Sequence, residues 1–350
     1  MPQASYRLRQ LSPQASVLVP VWNEAAVVGE CIADIAAQVG VDFECVLVLD
    51  GPTDGTREVV CEAVAGDARF RVLDLPHAGL VAALNAGLAA CRAPIVTRMD
   101  ADDRMRPDRL VTQVRALHDA ALGVVTCEVA YAVLGEGPAQ AGMQRHVAWL
   151  NGLRTATALR NARFIDAPVA HPAVAYRTAI VRTAGGYRDG DFAEDHDLWL
   201  RLFGEGVAFG FATGDVPGAL VTWRDHPERA TRADGRYGDE PRRALVHRHL
   251  VAGPLAGRAV RIWGAGRYGR WHAKHLLAAG VAISAFIDID PRKVGNRLFG
   301  SIPVVAADGL AAPDAQVTLV AVASPGARAV IASELARRGH VEGEHWLALQ

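Results

Sequence analysis

Ile95-Val96-Thr97-Arg98-Met99-Asp100-Ala101-Asp102-Asp103 is the stretch on which the reading of this chain turns. Ile95–Met99 has strand length and composition, and three carboxylates follow it at once. Carboxylates this close repel one another unless a cation or strong donors neutralise them. In open α/β sheets, ligands bind beyond the carboxyl ends of the strands, where these acids stand. Hard divalent ions, Mg²⁺ or Mn²⁺, prefer oxygen ligands and take one or two carboxylates plus substrate phosphates. Such an ion supports departure of a diphosphate, because it offsets charge that grows on the leaving oxygen. Spacing alone equally allows Asp102 or Asp103 to cap a following helix while the other acids face water. Both readings stay open at this point.

Outward from this stretch, short apolar runs alternate with helical periodicity, as a parallel α/β sheet requires. Ser16–Val21 reads as a strand, with Asn23 as N-cap of a helix whose apolar stripe is Val27, Val28, Cys31, Ile32, Ile35 and Val39. Cys45–Leu49 is a second strand closed by Asp50-Gly51, and a helix follows to about Ala65. Phe70–Leu75 reads as a strand and Leu80–Ala90 as a helix. Beyond the acids, Pro107 suits the first turn of a helix reaching Ala120, and Gly123–Ala130 is a fifth strand. Met143–Arg160 and Glu194–Phe203 read as helices; Ala173–Tyr176, Val207–Phe211 and Ala219–Trp223 read as extended. Asp225–Arg258 is polar and rich in Arg, Gly and Pro, with one helical stretch near Arg242–Val251, and is the expected linker. Two α/β domains are therefore expected, over residues 1–252 and 256–350.

The bulk numbers suit that division: 350 residues, 51% of them hydrophobic, can fill two cores. Lys and Arg number 37 against 38 Asp and Glu, which argues against a nucleic-acid partner. The five cysteines form no CxxC pair and are expected to be buried free thiols in a reducing compartment. Met1 to Ser12 has no apolar core of a secretory signal, and no run of ~18 apolar residues occurs. A cytoplasmic protein without a transmembrane segment is expected; peripheral membrane contact and homo-oligomerisation stay open.

Six elements now fall in a recognisable order. They are Val19-Pro20-Val21-Trp22-Asn23-Glu24; Leu49-Asp50-Gly51-Pro52-Thr53-Asp54-Gly55-Thr56; and Gly79 through Leu84-Asn85-Ala86-Gly87. Arg98-Met99-Asp100-Ala101-Asp102-Asp103, then His171-Pro172 with Gly185-Gly186-Tyr187, and finally Ala193-Glu194-Asp195-His196-Asp197-Leu198-Trp199-Leu200-Arg201 complete the set. Over roughly Ser16 to His226 the chain resembles the family 2 glycosyltransferases of GT-A fold. The resemblance implies a metal-dependent, inverting enzyme that moves a sugar from a nucleotide-diphosphate sugar to a hydroxyl. The acceptor would be a saccharide or lipid-linked saccharide, in polysaccharide or glycolipid biosynthesis.

The resemblance carries over residue by residue. Pro20, Asn23 and Glu24 match the first nucleotide-contacting loop, and Asp50 matches a carboxylate that reads base and ribose. Many relatives carry two consecutive acids where this chain has Leu49-Asp50; a uridine diphosphate sugar is favoured. Asp100 and Asp102 match the DxD pair, Asp100 toward the donor and Asp102 on the metal. His226, in Trp223-Arg224-Asp225-His226, falls where relatives place a late element near the diphosphate and is assigned to the metal with Asp102. Asp195 matches the catalytic base, the group that removes the acceptor proton as oxygen attacks the anomeric carbon. Glu194, His171 and Arg224 are acceptor-side or supporting residues. On spacing alone, Asp195 also suits an ordinary first-turn acid of a helix.

Ile262-Trp263-Gly264-Ala265-Gly266-Arg267-Tyr268-Gly269 opens the C-terminal segment: a strand, a GxGxxG loop and a helix. Asp288 ends the next strand, near the ~20-residue interval expected of an acid that contacts ribose. The segment resembles the small Rossmann folds appended to sugar-modifying enzymes of surface-polysaccharide pathways. Gly264, Gly266, Gly269 and Asp288 are its candidate nucleotide ligands. NAD(P) stays open there, and so does a fold retained for docking, since no further domain follows to use a nicotinamide. Two alternatives accompany the transferase: a sugar-linked NAD-dependent oxidoreductase working through this loop, and a non-catalytic nucleotide-sugar-binding protein.

Overall fold

The computed structural model describes residues 12–119, 121–136, 138–227, 229, 232 and 234–350. The N-terminal stretch in which no secretory signal is expected lies outside the described residues, save Ser12. Along the chain the elements are β1 (Ala15–Val21), α1 (Val28–Ala36), β2 (Phe43–Asp50), α2 (Thr56–Ala63), β3 (Phe70–Leu75), α3 (Leu80–Ala90) and β4 (Ile95–Arg98). Next come β5 (Arg104–Met105), α4 (Arg109–Asp119), β6 (Val124–Cys127), β7 (Val129–Val133), α5 (Ala141–Gly152) and α6 (Ala156–Ala162). β8 (Ala175–Arg177), α7 (Thr178–Thr183), α8 (Glu194–Gly204), β9 (Phe209–Ala212) and β10 (Val221–Asp225) follow. The last are α9 (Asp239–Ala252), β11 (Val260–Trp263), α10 (Arg267–Ala278), β12 (Ile283–Asp288), β13 (Arg297–Leu298), β14 (Ile302–Ala306), β15 (Val317–Val320), α11 (Ala327–Arg337) and β16 (Trp346–Ala348).

The chain forms two compact units. The first holds the N-terminal segment ending at Arg154 together with Val169–Asp189 and Val207–Pro227. Thr155–Pro168, Gly190–Gly206 and the C-terminal segment ending at Gln350 make the second.

In the first unit a seven-stranded sheet has the order β3-β2-β1-β4-β8-β6-β9. β1, β2, β3 and β4 run parallel, and β8 is antiparallel to both its neighbours. Every residue of β2 is buried, as a parallel strand covered on both faces requires. Leu47 and Leu49 are fully enclosed, each side chain contributing roughly 1.5–3 kcal/mol. The strand order reverses at the β1–β4 pair, so a crevice opens beyond their carboxyl ends. Into it lead the Trp22–Glu24 loop after β1 and the Asp100–Asp103 loop after β4. A second sheet, β5-β10-β7, carries Asp225 at the end of β10, with His226 next in the chain.

The second unit has a six-stranded sheet in the order β13-β14-β12-β11-β15-β16, parallel except at β13. Without that edge strand, chain order across the sheet is the doubly wound 3-2-1-4-5. Its core joins Leu245, Leu250, Ile262, Phe286 and Leu319 with Phe164, Phe192 and Leu200 from the two inserted segments.

Four sequence expectations are corrected. Asn23 is no N-cap: α1 starts at Val28, and Asn23 takes φ 54° with its Oδ1 accepting the Thr53 N–H at 2.8 Å. The expected fifth strand is two strands in different sheets, divided at Glu128, whose carbonyl accepts the Leu220 N–H at 2.9 Å. The expected Met143–Arg160 helix breaks between Gly152 and Ala156, where Thr155 Oγ1 caps α6 by accepting the Ala158 N–H at 3.1 Å. Cys61 is exposed, unlike the other four cysteines, because it lies on the outer face of α2.

Candidate active site

The Asp100–Asp103 loop does not lead into a helix but into the short strand β5, so neither Asp102 nor Asp103 caps one. The loop is fastened by arginines. Arg98 is buried and pairs with Asp100 Oδ1. The Arg224 N–H donates to Asp103 Oδ1 at 2.7 Å, and its Nε donates to the Asp102 carbonyl. Arg224 Nη1 also donates to Glu30 at 2.6 Å, and Arg104 donates to Glu30 and Asp34. Fully buried Arg109 donates from Nη2 to the Arg98 carbonyl at 2.7 Å and the Pro172 carbonyl at 2.6 Å. Burial holds its guanidinium below the ordinary range.

With the loop so held, Asp102 Oδ2 lies 3.0 Å from His226 Nε2. Glu24 completes the group: ligand atoms of Glu24, Asp102 and His226 all lie within 4.8 Å of one another. Asp100, Asp102 and Asp103 form an overlapping group of the same size. Carboxylate oxygens with one imidazole suit a divalent cation. Glu24 is raised to about 7 by burial first, then by the charges of Asp102, Asp100 and Asp54, while His226 acts in the opposite direction. A bound cation would reverse that balance. The Glu24 N–H donates to Thr56 Oγ1 at 2.7 Å and the Ala25 N–H to Asp54 Oδ2 at 3.1 Å, so the Asp-Gly-Thr turn props up the Glu24 loop.

The remaining expected residues have definite surroundings. Pro20 lies inside β1, in register with Val48. Asp50 is buried; its oxygens accept the Ala78 N–H at 2.7 Å and the Gly79 N–H at 3.0 Å, and Oδ2 lies 2.9 Å from His77 Nδ1. It thereby shapes the loop before α3. His171 is enclosed, its Nε2 3.1 Å from the Tyr187 hydroxyl, and burial with the nearby Arg98 charge holds it well below the ordinary histidine value. Tyr187 is in turn clamped by Asn85, which accepts its N–H and donates to its carbonyl.

In the second unit, the first turn of α8 carries Glu194, Asp195 and Asp197. Glu194 is buried and accepts from the Tyr237 hydroxyl at 2.7 Å. Asp197 bonds Arg201 Nε at 2.8 Å and His249 Nε2 at 3.2 Å. His196 Nε2 lies 2.9 Å from the Arg163 carbonyl. Asp195 is half-buried, and its Oδ1 accepts the His196 N–H at 2.7 Å. Asp288 accepts the Ala265 N–H at 2.8 Å, next to the glycine loop.

Sequence reasoning missed several members of this neighbourhood. Trp22, 52% exposed in the Glu24 loop, stacks on His77 with ring centroids 5.1 Å apart. Its place beside Asn23-Glu24 was a signal; nothing local marked His77. Arg109 could have been noticed as a cation beside Leu110, on the apolar side of α4.

Comparison with known proteins agrees with this architecture. The sequence model of "Glycosyl transferase family 2" matches residues 16–183. The amylovoran biosynthesis glycosyltransferase AmsE of Erwinia amylovora is 26% identical over 223 residues, 63% of this chain and 79% of that protein. The chondroitin synthase of Pasteurella multocida (strain Pm70) is 30% identical over 96 residues, 27% of this chain and only 10% of that much longer protein. Among solved structures, S. aureus TarS 1–349 in complex with UDP-GlcNAc superposes with a TM-score of 0.53 at 18% identity, covering 69% of this chain and 68% of that one. That likeness concerns the fold. The match spans residues 16–183, and over that stretch the chain is similar to glycosyl transferase family 2.

Proposed function

We propose that the protein transfers a sugar from a nucleotide-diphosphate donor to a hydroxyl of a saccharide or lipid-linked acceptor, in polysaccharide or glycolipid assembly. The observation that carries this reading is the group Glu24, Asp102 and His226, gathered from three separate loops beside the β1–β4 switch point. A divalent cation, Mg²⁺ or Mn²⁺, would be held by Asp102 and His226 and would offset charge on the departing diphosphate. Asp100, paired to Arg98, faces the donor, and the stacked Trp22–His77 pair offers a flat apolar surface to its base. We favour uridine for that base.

Inversion needs a carboxylate that takes the acceptor proton during attack, and Asp195 is the residue assigned to it. Neighbouring acids on the same turn are engaged by Tyr237, Arg201 and His249. Those bonds support the turn rather than the proton transfer.

The test is calorimetric titration of a panel of nucleotide-sugars with Mn²⁺, repeated in EDTA and with Asp102→Ala. Binding should appear for one donor and weaken by ~10-fold or more, ~1.4 kcal/mol, under either change. Donor affinity indifferent to both EDTA and Asp102→Ala would reject the assignment.

A further inference from the structure

The transfer chemistry leaves a cavity in the second unit unused. It has a volume of ≈ 350 Å³ and lies beyond the carboxyl ends of β12 and β14, lined by Asp288, Ile289, Pro291, Val294, Ala306 and Asp308 among others. That is within the ~300–1,000 Å³ range of small-molecule sites. Its walls are apolar apart from the two carboxylates. Ile289, 80% exposed, stands at its rim.

Asp288 joins this cavity to the glycine turn. Burial pushes its carboxyl up, but donors from Asp290, Lys293 and Ala265 outweigh that and hold it below the ordinary value. Its oxygens accept from the Asp290 N–H at 2.9 Å, Lys293 Nζ at 3.0 Å and the Ala265 N–H at 2.8 Å. A carboxylate has about four acceptor positions, so one remains for a hydroxyl.

The three glycines of the turn differ in what the fold asks of them. Gly264 has φ +115°, and a Cβ there would meet the Ala321 carbonyl oxygen at 2.8 Å. A Cβ on Gly269 would meet the Gly264 carbonyl oxygen at 1.7 Å, so α10 lies this close to β11 only without a side chain. Gly266 has an ordinary φ of −83°, and a Cβ there would meet nothing within 4 Å. The protein's own packing explains the first and third glycines but not the second. A ligand backbone passing over the turn explains it.

We propose that the cavity and this turn form a second nucleotide site, separate in purpose from the donor site. The base lies against Ile289, Val294 and Ala306, a ribose hydroxyl donates to Asp288, and the diphosphate passes over Gly266. Asp288 and Asp308 together oppose any phosphate on the ribose. A dinucleotide such as NAD⁺ and a nucleoside diphosphate share this chemistry; NADP⁺ does not.

The test uses the full chain carrying Asp102→Ala, in EDTA, so that metal-dependent donor binding is suppressed. NAD⁺, NADP⁺, ADP and UDP are titrated separately by calorimetry. One or more of NAD⁺, ADP and UDP should bind once per chain, and the pattern names the source; NADP⁺ should bind ~10-fold or more weaker than NAD⁺, ~1.4 kcal/mol. Gly266→Val and Ile289→Glu, both at positions with room for the new side chain, should abolish binding with the melting temperature unchanged. Absence of binding by NAD⁺, ADP and UDP at millimolar concentration overturns the proposal. So does binding that survives both variants. Neither result bears on the metal-dependent transfer, which has its own titration.

Discussion

Arg109 shows how much of the candidate site is held by residues that never reach its surface. Its guanidinium ties the carbonyl of Arg98, just ahead of the acidic loop, to the carbonyl of Pro172, and its Nε donates to Gln113 at 3.1 Å. Arg109→Met keeps the volume but strands those carbonyls, and leaving buried acceptors unmatched costs roughly 2–4 kcal/mol in total. Urea unfolding should show a loss of that size; a loss under ~1 kcal/mol would mean the clamp is unimportant. Asp195 is the converse case, a residue whose removal should spare the fold. Asp195→Asn should lower turnover ~10²–10⁴-fold while donor affinity is retained, and unchanged turnover would remove it as the base. The pairing of Asp102 with His226 could be anticipated because both sit in short motifs whose order is legible. His77 could not, because Asp50, its partner, is distant in sequence and only packing makes them neighbours.

Two elements are legible to the residue in the sequence: Phe70–Leu75 as a strand and Leu80–Ala90 as a helix. Where the structure divides an apolar run, the sequence offered little warning. Val124–Val133 is interrupted by a single Glu128, yet β6 and β7 take partners in different sheets, a choice made by β9 and β10 far downstream. The pairing of α9 with α10 was equally invisible, and it carries a pH dependence. His247 Nε2 lies 2.8 Å from His272 Nδ1. Burial chiefly, with His275 and Arg243 nearby, lowers His247 to about 4; burial, His247 and Arg243 lower His272 to about 3. Both folded-state values lie below the ordinary 6.5, so the unfolded chain takes up protons first as pH falls. Stability should therefore be complete above pH ~6.5 and decline toward pH ~4, by up to ~1.4 kcal/mol per pH unit for each proton. Thermal unfolding against pH should show this slope, and His247→Gln with His272→Asn should flatten it. An identical acid slope in the double variant would assign the effect elsewhere.

At the scale of the whole molecule, the two units are interleaved in sequence: the chain leaves the first for the second after Arg154, Asp189 and Pro227. Phe164, Phe192 and Leu200 are buried with Ile262, Phe286 and Leu319, so the helix bearing Asp195 is packed by the C-terminal sheet. No helix among the described residues is long and apolar enough to cross a membrane. A chain ending at Gly253 should thus lose more than its glycine loop. Hydrogen exchange should show α8 unprotected, with transfer abolished although the Asp102 loop stays ordered; retained protection of α8 would contradict the shared core. The same interleaving bears on synthesis. As the polypeptide emerges vectorially from the ribosome, Phe164, Phe192 and Leu200 are exposed well before the residues that will shelter them have been translated. Their waiting period lasts until Ile262, Phe286 and Leu319 have been made, which makes the segments bearing the three early residues natural clients for a holding chaperone.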